Sequence, residues 1–100
     1  MNKPIIVTRH AATINFFKAY LKEKGYDDIE VITHATEEDV RGKDVYGVLP
    51  MSLACHANSI TELDLSGIPQ ELRGAELSKE QIEQYGAGCN TYIVQKLTIL

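Results

Sequence analysis

The stretch PIIVTRHAATINFFKAYLKEKG, residues 4–25, changes its hydrophobic pattern partway along. Residues 4–8 form a continuous apolar and β-branched run, which is typical of a strand buried on both faces. Over residues 11–24 the apolar side chains recur at helical spacing instead. Arg9 and His10 stand side by side between the two patterns. The stretch therefore predicts a strand, a short loop that carries a basic pair, and a helix.

The same alternation of strand and helix signals continues along the chain. β-branched or uncharged apolar runs indicate strands, and helical spacing or a capping box, such as Ser78 with Gln81, indicates helices. We predict further strands over residues 29–33, 45–49, 60–65 and 91–100, the last at an edge, and further helices over residues 36–41, 51–58 and 78–85. Strands that alternate with helices indicate βαβ units. The predicted fold class is α/β: a Rossmann-like, mostly parallel sheet of about five strands with helices on both faces, in a single domain over residues 1–100.

The composition narrows the classes of function. The chain has 44% hydrophobic and 24% charged residues, as ordinary globular proteins do. No apolar run approaches the roughly 20 residues of a membrane helix, and the N-terminus lacks the apolar core of a signal peptide. We therefore expect a cytoplasmic protein without membrane contact. Two cysteines without a C-x-x-C pair or a zinc-type histidine spacing predict reduced thiols, no metal site and no cofactor.

Charge is unevenly distributed along the sequence. The formal net charge of -4 argues against the binding of duplex nucleic acid. Residues 1–24 nevertheless hold five basic side chains and one acidic side chain, whereas residues 25–44 hold seven acidic and two basic ones. A small anionic ligand would therefore be attracted to the N-terminal part of the chain.

Two of the predicted loops face the same end of the predicted sheet. In doubly wound sheets the first and third strands are neighbours, and ligands bind in the crevice at their carboxyl ends. We expect both loops to line this crevice, one with Thr8, Arg9 and His10 and the other with Leu49, Pro50, Met51 and Ser52.

These residue types favour a phosphate group as the ligand. Each loop leads into a helix, whose first N–H groups and dipole attract anions. The guanidinium of Arg9 can bind two phosphate oxygens at once, and Ala11 and Ala12 are small enough for a ligand to approach the backbone. His10 can transfer a proton near neutral pH. The residues alone leave open a structural role, in which Arg9 caps the carbonyls of a neighbouring loop.

The segment RHAAT also resembles the R-H-G-x-T signature of the histidine phosphatases, in which the histidine becomes phosphorylated. That fold needs a second arginine and a second histidine opposite the first, and no later segment offers such a pair. Ala11 also replaces the usual glycine. A small histidine-phosphatase-like enzyme is therefore a remote alternative. Of the other histidines, His34 is predicted at the surface and His56 partly buried on a helix.

Four segments, taken in order, resemble a known family over nearly the whole chain. They are VTRH at residues 7–10, GVLPMSLA at 47–54, RGAELS at 73–78 and YGA at 85–87. The family is a small CRISPR-associated family of type III systems, the sixteenth of the Csx series. Its pattern commonly has proline-glycine and a tryptophan where this chain has Ala11, Ala12 and Phe16.

This resemblance implies both a fold and an activity. The family is similar to CARF-type sensor domains, which are Rossmann-like and bind cyclic oligoadenylates as symmetric homodimers. Its members are regarded as ring nucleases, which cleave the cyclic second messenger and so switch off the antiviral response. The resemblance implies cyclic tetra-adenylate as the ligand. A module that senses or sequesters this ligand without cleaving it is the main alternative.

A mechanism follows as a hypothesis. Because the sequence contains no cluster typical of metal ligands, we predict metal-independent cleavage, in which a ribose 2′-hydroxyl attacks the adjacent phosphate and leaves a 2′,3′-cyclic phosphate. Arg9 and the backbone N–H groups of residues 10–12 and 51–52 would stabilise the developing charge. His10 would transfer a proton. Arg73 would close over the ligand or reach across the dimer, or it would form a salt bridge with Glu76.

Overall fold

The buried run near the start of the chain forms the first strand of a central sheet. In the computed structural model, residues 3–64, 66–72, 77–85 and 88–98 are described. The strands are β1 (Pro4–Val7), β2 (Glu30–Ile32), β3 (Asp44–Gly47), β4 (Ser59–Leu63) and β5 (Cys89–Tyr92). The helices are α1 (Ala11–Glu23), α2 (Glu37–Val40), α3 (Met51–Ala54) and α4 (Lys79–Tyr85), and a 3₁₀ turn spans Gln70–Leu72.

The five strands form one mixed sheet in the order β2-β1-β3-β4-β5. The pairs β1–β2, β1–β3 and β3–β4 are parallel, and β5 pairs antiparallel with β4. The prediction of an α/β fold with a mostly parallel sheet of five strands is confirmed. The first and third strands are neighbours, and the last strand lies at an edge, both as predicted.

Helices cover both faces of the sheet, as the sequence predicts. Successive residues of β1 point to opposite sides, so Ile5 packs in a cluster with residues of α2 and α3. Ile6 packs on the other side against Phe17 and Leu21 of α1. These three side chains are fully buried, and burial of each contributes about 1.5–3 kcal/mol. Helix α4 lies on the same side, in contact with α1.

Local signals set the ends of the helices. Gly25, at φ 97°, follows the end of α1, where its N–H donates to the carbonyl of Lys22 at 3.0 Å and the N–H of Tyr26 donates to that of Leu21 at 3.1 Å. This pair of bonds is a Schellman motif. A capping box of Thr36 and Asp39 begins α2, where the polar helical turn was predicted.

Several predicted boundaries are wrong. The third strand ends at Gly47 instead of Leu49, and the helix predicted over residues 51–58 ends at Ala54. It is short because the following turn is held back toward the start of β3: the N–H of Asn58 donates to the carbonyl of Lys43 at 2.8 Å. The last strand covers residues 89–92 instead of 91–100. Residues 93–98 leave the sheet, because Val94 packs against the hydrophobic cluster near α3.

Candidate functional site

The two loops predicted to form the site leave the sheet side by side at its midline. Val7 and Gly47 are paired in the register of β1 and β3. The N–H of Val48 donates to the carbonyl of Val7 at 2.9 Å. Gly47 has φ 135°, and a Cβ at this position would lie 2.8 Å from the carbonyl carbon of Val7 and still closer to its oxygen. Only glycine fits here, so this residue brings the start of one loop against the other.

The first loop exposes the basic pair and buries the residue before it. Thr8 is only 7% exposed, and its hydroxyl accepts a hydrogen bond from the N–H of His10 at 3.3 Å. The side chain predicted to touch the ligand therefore orders the loop. Arg9 and His10 are both exposed. Within the described part of the chain no carboxylate forms an ion pair with Arg9.

The loop leads into the N-terminus of helix α1. His10 is the N-cap of α1 with an extended backbone at φ -86° and ψ 114°, and no side chain caps the helix there. The carbonyl of His10 accepts from the N–H of Ile14 at 3.0 Å, while the N–H groups of Ala11 and Ala12 have no partner within the helix. No acidic residue occurs in the first turn. The positive end of this thirteen-residue helix therefore adds to the charge of Arg9.

The second loop is less polar than the first. Leu49 is half-buried against the core, and Pro50 is the N-cap of α3, with its carbonyl accepting from the N–H of Ala54 at 2.9 Å. Met51 is 78% exposed, and Ser52 is exposed beside it. Because α3 is a single turn, the second positive helix end expected from the sequence is much weaker than the first.

Four of the predicted residues line grooves, and two of the three grooves share Met51. Ala12 lies in a groove of about 490 Å³ between α1 and α4. Leu49 and Met51 line a groove of about 370 Å³ next to β5, and Met51 and Ser52 line one of about 280 Å³ next to residues 94–96. Arg9 and His10 lie in none of these three. The basic pair thus stands on an open surface at the carboxyl end of the sheet, and a ligand bound there by one copy of the chain would stay partly exposed to solvent.

Two predicted positions fall outside the described residues. These are Arg73, expected to close over the ligand, and Glu76, its expected salt-bridge partner. The end of the same motif is described: the N–H of Gln81 donates to the hydroxyl of Ser78 at 3.2 Å, and the N–H of Ser78 donates to the side chain of Gln81 at 2.9 Å. The predicted capping box is confirmed.

Two groupings of side chains were not predicted. Glu37 accepts from Arg41 on its own helix and lies 3.2 Å from Nε2 of His56, which is in the turn after α3 and not on a helix. Along α1, the rings of Phe16 and Tyr20 stack 6.4 Å apart. The helical spacing of these aromatic residues and of Glu37 with Arg41 was a usable signal, whereas the approach of His56 depends on the tertiary fold.

The two thiols and the remaining histidine match ordinary structural roles. Cys55 and Cys89 are free and half-buried, and burial raises the pKa of the Cys89 thiol. His34 is exposed, as predicted. In the described ranges no three histidine, cysteine or acidic side chains group as metal ligands would. None of the helices that the structure describes has the length and apolar character needed to cross a bilayer.

Comparison with known proteins gives the family. Residues 5–95 match a family model described as "Putative CRISPR-associated protein (Cas_VVA1548)". No curated protein and no solved structure matches the chain. The matched segment contains every helix and strand described above, apart from Pro4, the first residue of β1. It therefore also contains the basic pair and both loops at the midline of the sheet. The chain therefore belongs to the Cas_VVA1548 family of CRISPR-associated proteins.

Proposed function

We propose that this protein is a ring nuclease of type III CRISPR systems. It binds and cleaves a cyclic oligoadenylate, and the ligand that we propose is cyclic tetra-adenylate. The observation that carries the proposal is the position of Arg9. Its side chain is exposed at the carboxyl end of β1 and has no carboxylate partner in the described ranges. It adjoins a helix N-terminus without acidic neighbours, a combination that favours a phosphodiester.

The fold supports the same proposal. The order of the strands reverses between β1 and β3, since β2 follows β1 in sequence but lies on its far side. Ligands of doubly wound sheets bind at such a reversal. Arg9, His10 and the loop through Ser52 all lie at this place. We take the fold to be Rossmann-like and related to CARF sensor domains, and the membership of a CRISPR-associated family agrees with that relationship.

In the proposed reaction the ligand supplies its own nucleophile. A ribose 2′-hydroxyl oxygen attacks the adjacent phosphorus, the bond from phosphorus to the 5′-oxygen breaks, and a linear product ends in a 2′,3′-cyclic phosphate. The proton of the 2′-hydroxyl passes to solvent, and His10 donates a proton to the leaving 5′-oxygen. Arg9 and the first N–H groups of α1 stabilise the charge on the phosphate oxygens. Holding the 2′-oxygen in line with the leaving oxygen supplies the remaining acceleration.

The proposal includes a homodimer. A cyclic tetranucleotide has at least approximate two-fold symmetry, and two copies of one open crevice, related by a two-fold axis, can face it from both sides. This arrangement would exclude the solvent to which a single copy leaves Arg9 and His10 exposed. Arg73 is proposed to close over the ligand from the loop that contains it.

Incubation of the purified protein with labelled cyclic tetra-adenylate in the presence of EDTA tests the proposal. Cleavage into linear products supports it. Retention of the intact ring would make the protein a sensor or sequestering module instead, and failure to bind the ring would contradict both. Loss of cleavage on addition of EDTA, with recovery on addition of a divalent cation, would contradict metal independence.

A further inference from the structure

The largest of the three grooves lies between α1 and α4. Its volume of about 490 Å³ falls within the range of about 300–1,000 Å³ that is usual for pockets of small ligands. Ala12 and Ala19 line it from α1, and their small side chains leave the space open. Ile82, which is buried, lines it from α4. The two helices therefore border a space with apolar walls that can hold a flat ring.

Two aromatic side chains of α1 line this groove in matching orientations. Phe16 and Tyr20 are one helical turn apart, and their ring centres lie 6.4 Å from each other with an angle of 11° between the planes. Aromatic rings prefer offset-stacked arrangements, so a third flat ring can join this pair in the same orientation. Every nucleobase has a π face that stacks on aromatic side chains. The aromatic lining therefore suits a nucleobase.

Neighbouring side chains hold both rings in place. The fully buried Phe17 meets the ring of Phe16 edge-on at 5.5 Å. The ring of Tyr46 lies 6.2 Å from that of Tyr20, and the ammonium group of Lys24 lies 4.7 Å from the centre of the same ring. A surface that is ordered before binding loses little conformational entropy when a ligand arrives. These rings can therefore bind a base without rearrangement.

The polar side chains of the groove favour adenine. Asn15 lines it from α1 and Glu83 from α4. An asparagine amide can donate to N7 and accept from the N6 amino group of adenine at the same time. A carboxylate only accepts hydrogen bonds, which the N6 amino group donates, whereas guanine presents an oxygen acceptor at the corresponding position. Asn15 and Glu83 can therefore pair with the edge of an adenine.

The groove begins beside the basic pair. Ala12 follows His10 on the first turn of α1, and Phe16 lies one turn further, about 6 Å along the helix axis. In a nucleotide a single ribose separates the phosphate from the base, so a phosphate at Arg9 brings its base toward Phe16. Glu23 lines the groove at its other end, about 16 Å from Ala12 along the axis, where salt screens its charge from the phosphate.

We propose that the groove between α1 and α4 binds the adenine base of a nucleotide, stacked on Phe16 and hydrogen-bonded by Asn15 and Glu83. The inference rests on the proposed function in one respect, because it takes from there the position of the phosphate at Arg9. It adds a base-binding site within a single protomer and assigns the preference for adenine to side chains outside the two loops at the midline of the sheet.

Nuclear magnetic resonance titrations of the ¹⁵N-labelled full chain test this site. The two ligands are adenosine 5′-monophosphate and ribose 5-phosphate, which lacks the base. We expect both ligands to shift the backbone amide signals of residues 9–12. Only adenosine 5′-monophosphate should also shift the side-chain amide of Asn15 and the backbone amides of Ala19 and Ile82.

Two substitutions and one control separate binding of the base from the fold. Phe16→Leu keeps an apolar side chain but removes the ring, and Ala19→Leu fills the groove from an exposed position. Each should raise the Kd for adenosine 5′-monophosphate at least about 5-fold and leave the Kd for ribose 5-phosphate unchanged. Tyr26→Leu is the matched control, because Tyr26 packs against the same hydrophobic cluster as Phe16 but does not line the groove. It should leave both Kd values unchanged.

A third ligand tests the preference for adenine. Inosine 5′-monophosphate has a carbonyl oxygen in place of the 6-amino group, so it should bind the wild type about 10-fold more weakly than adenosine 5′-monophosphate. Equal affinities for these two ligands would contradict the roles of Asn15 and Glu83.

The titrations distinguish a failure of this site from a failure of the proposed function. If adenosine 5′-monophosphate shifts only residues 9–12, the base site is overturned and the phosphate site stands. Shifts in the groove with none at residues 9–12 would support the base site and contradict the proposed role of Arg9. No shift with either ligand would contradict both. Wild-type affinity for adenosine 5′-monophosphate in Phe16→Leu and Ala19→Leu would also overturn the base site.

Discussion

Gly47 lies opposite Val7 in the parallel pair β1–β3, with room for a hydrogen at its Cα but not for a methyl group. The N–H of Val48 donates a hydrogen bond to the carbonyl of Val7 at 2.9 Å, which holds the two backbones together at this point. Both strands end here, and the backbone leaves the sheet immediately after each of them. The loop with Arg9 and the loop with Pro50 therefore begin from one fixed point, and the candidate site depends on it.

Replacing this glycine should destabilise the whole fold. In Gly47→Ala the new Cβ meets the backbone of Val7, so β1 and β3 must separate or the backbone must strain. We expect a loss of about 2–4 kcal/mol in the free energy of unfolding, measured by urea denaturation. Gly42→Ala is the control, because Gly42 also has a positive φ, 70°, but no atom lies within 4 Å of its built Cβ. It should cost only about 1 kcal/mol, and equal losses in the two variants would contradict this interpretation.

Arg9 should contribute mainly to ligand affinity. Its charge-assisted hydrogen bonds to a phosphate are worth about 1.5–3 kcal/mol, so Arg9→Ala should weaken the binding of cyclic tetra-adenylate by about 10- to 150-fold. Isothermal titration calorimetry with a non-cleavable analogue of the ring measures this directly. Lys18→Ala removes another exposed positive charge, from the outer side of α1, and should change the affinity by less than about 3-fold. Equal effects of the two substitutions would show that only general charge matters.

His10 should contribute mainly to the rate. A positioned general acid accelerates a reaction by about 100- to 10,000-fold, so His10→Ala should slow single-turnover cleavage by that factor and leave affinity within about 3-fold. The helix should persist, because no side chain caps α1 at this position. His34→Ala, at another exposed histidine, should cleave at the wild-type rate. Wild-type cleavage by His10→Ala would remove the histidine from the mechanism.

The start of α2 should make stability depend on pH in the acid range. Hydrogen bonds from the backbone and the hydroxyl of Thr36 hold the pKa of Asp39 below its usual value of 3.8. A lowered folded-state pKa means that the contribution of Asp39 is present above pH 3.8 and is lost as the pH falls through the folded-state value. The stability difference between the wild type and Asp39→Asn, from urea denaturation at several pH values, should therefore shrink below about pH 4. A constant difference from pH 7 to pH 2 would contradict this.

Local patterns were enough to predict the parts of the fold that local interactions define. The change from a continuous apolar run to helical spacing located β1 and α1, and the capping box of Ser78 with Gln81 located α4. The end of α3 was missed because residues 45–61 are uncharged throughout and offer no local boundary. Hydrogen bonds from Asn58 to Lys43 and Asp44, which are distant in sequence, end it instead.

In the candidate site, too, the sequence predicts the local features but not those that depend on contacts distant in sequence. That Arg9 and His10 follow a buried strand is readable from the sequence, and so is their exposure in a loop before a helix. The close approach at Gly47 is not, because VYGVL reads as one uninterrupted strand. The sequence predicts a strand over the exposed residues 93–98, since their apolar side chains also suit an edge. In the structure the pairing with β4 ends at Tyr92, and Val94 packs against the core.

The mass of the reaction product tests the central claim most directly. Attack by a 2′-hydroxyl opens cyclic tetra-adenylate into a linear isomer, so the product of the first cut should have the mass of the ring and end in a 2′,3′-cyclic phosphate. We expect mass spectrometry to find this isomer after incubation with the wild type and EDTA. A ring that stays intact, or a first product heavier by one water, would contradict the account.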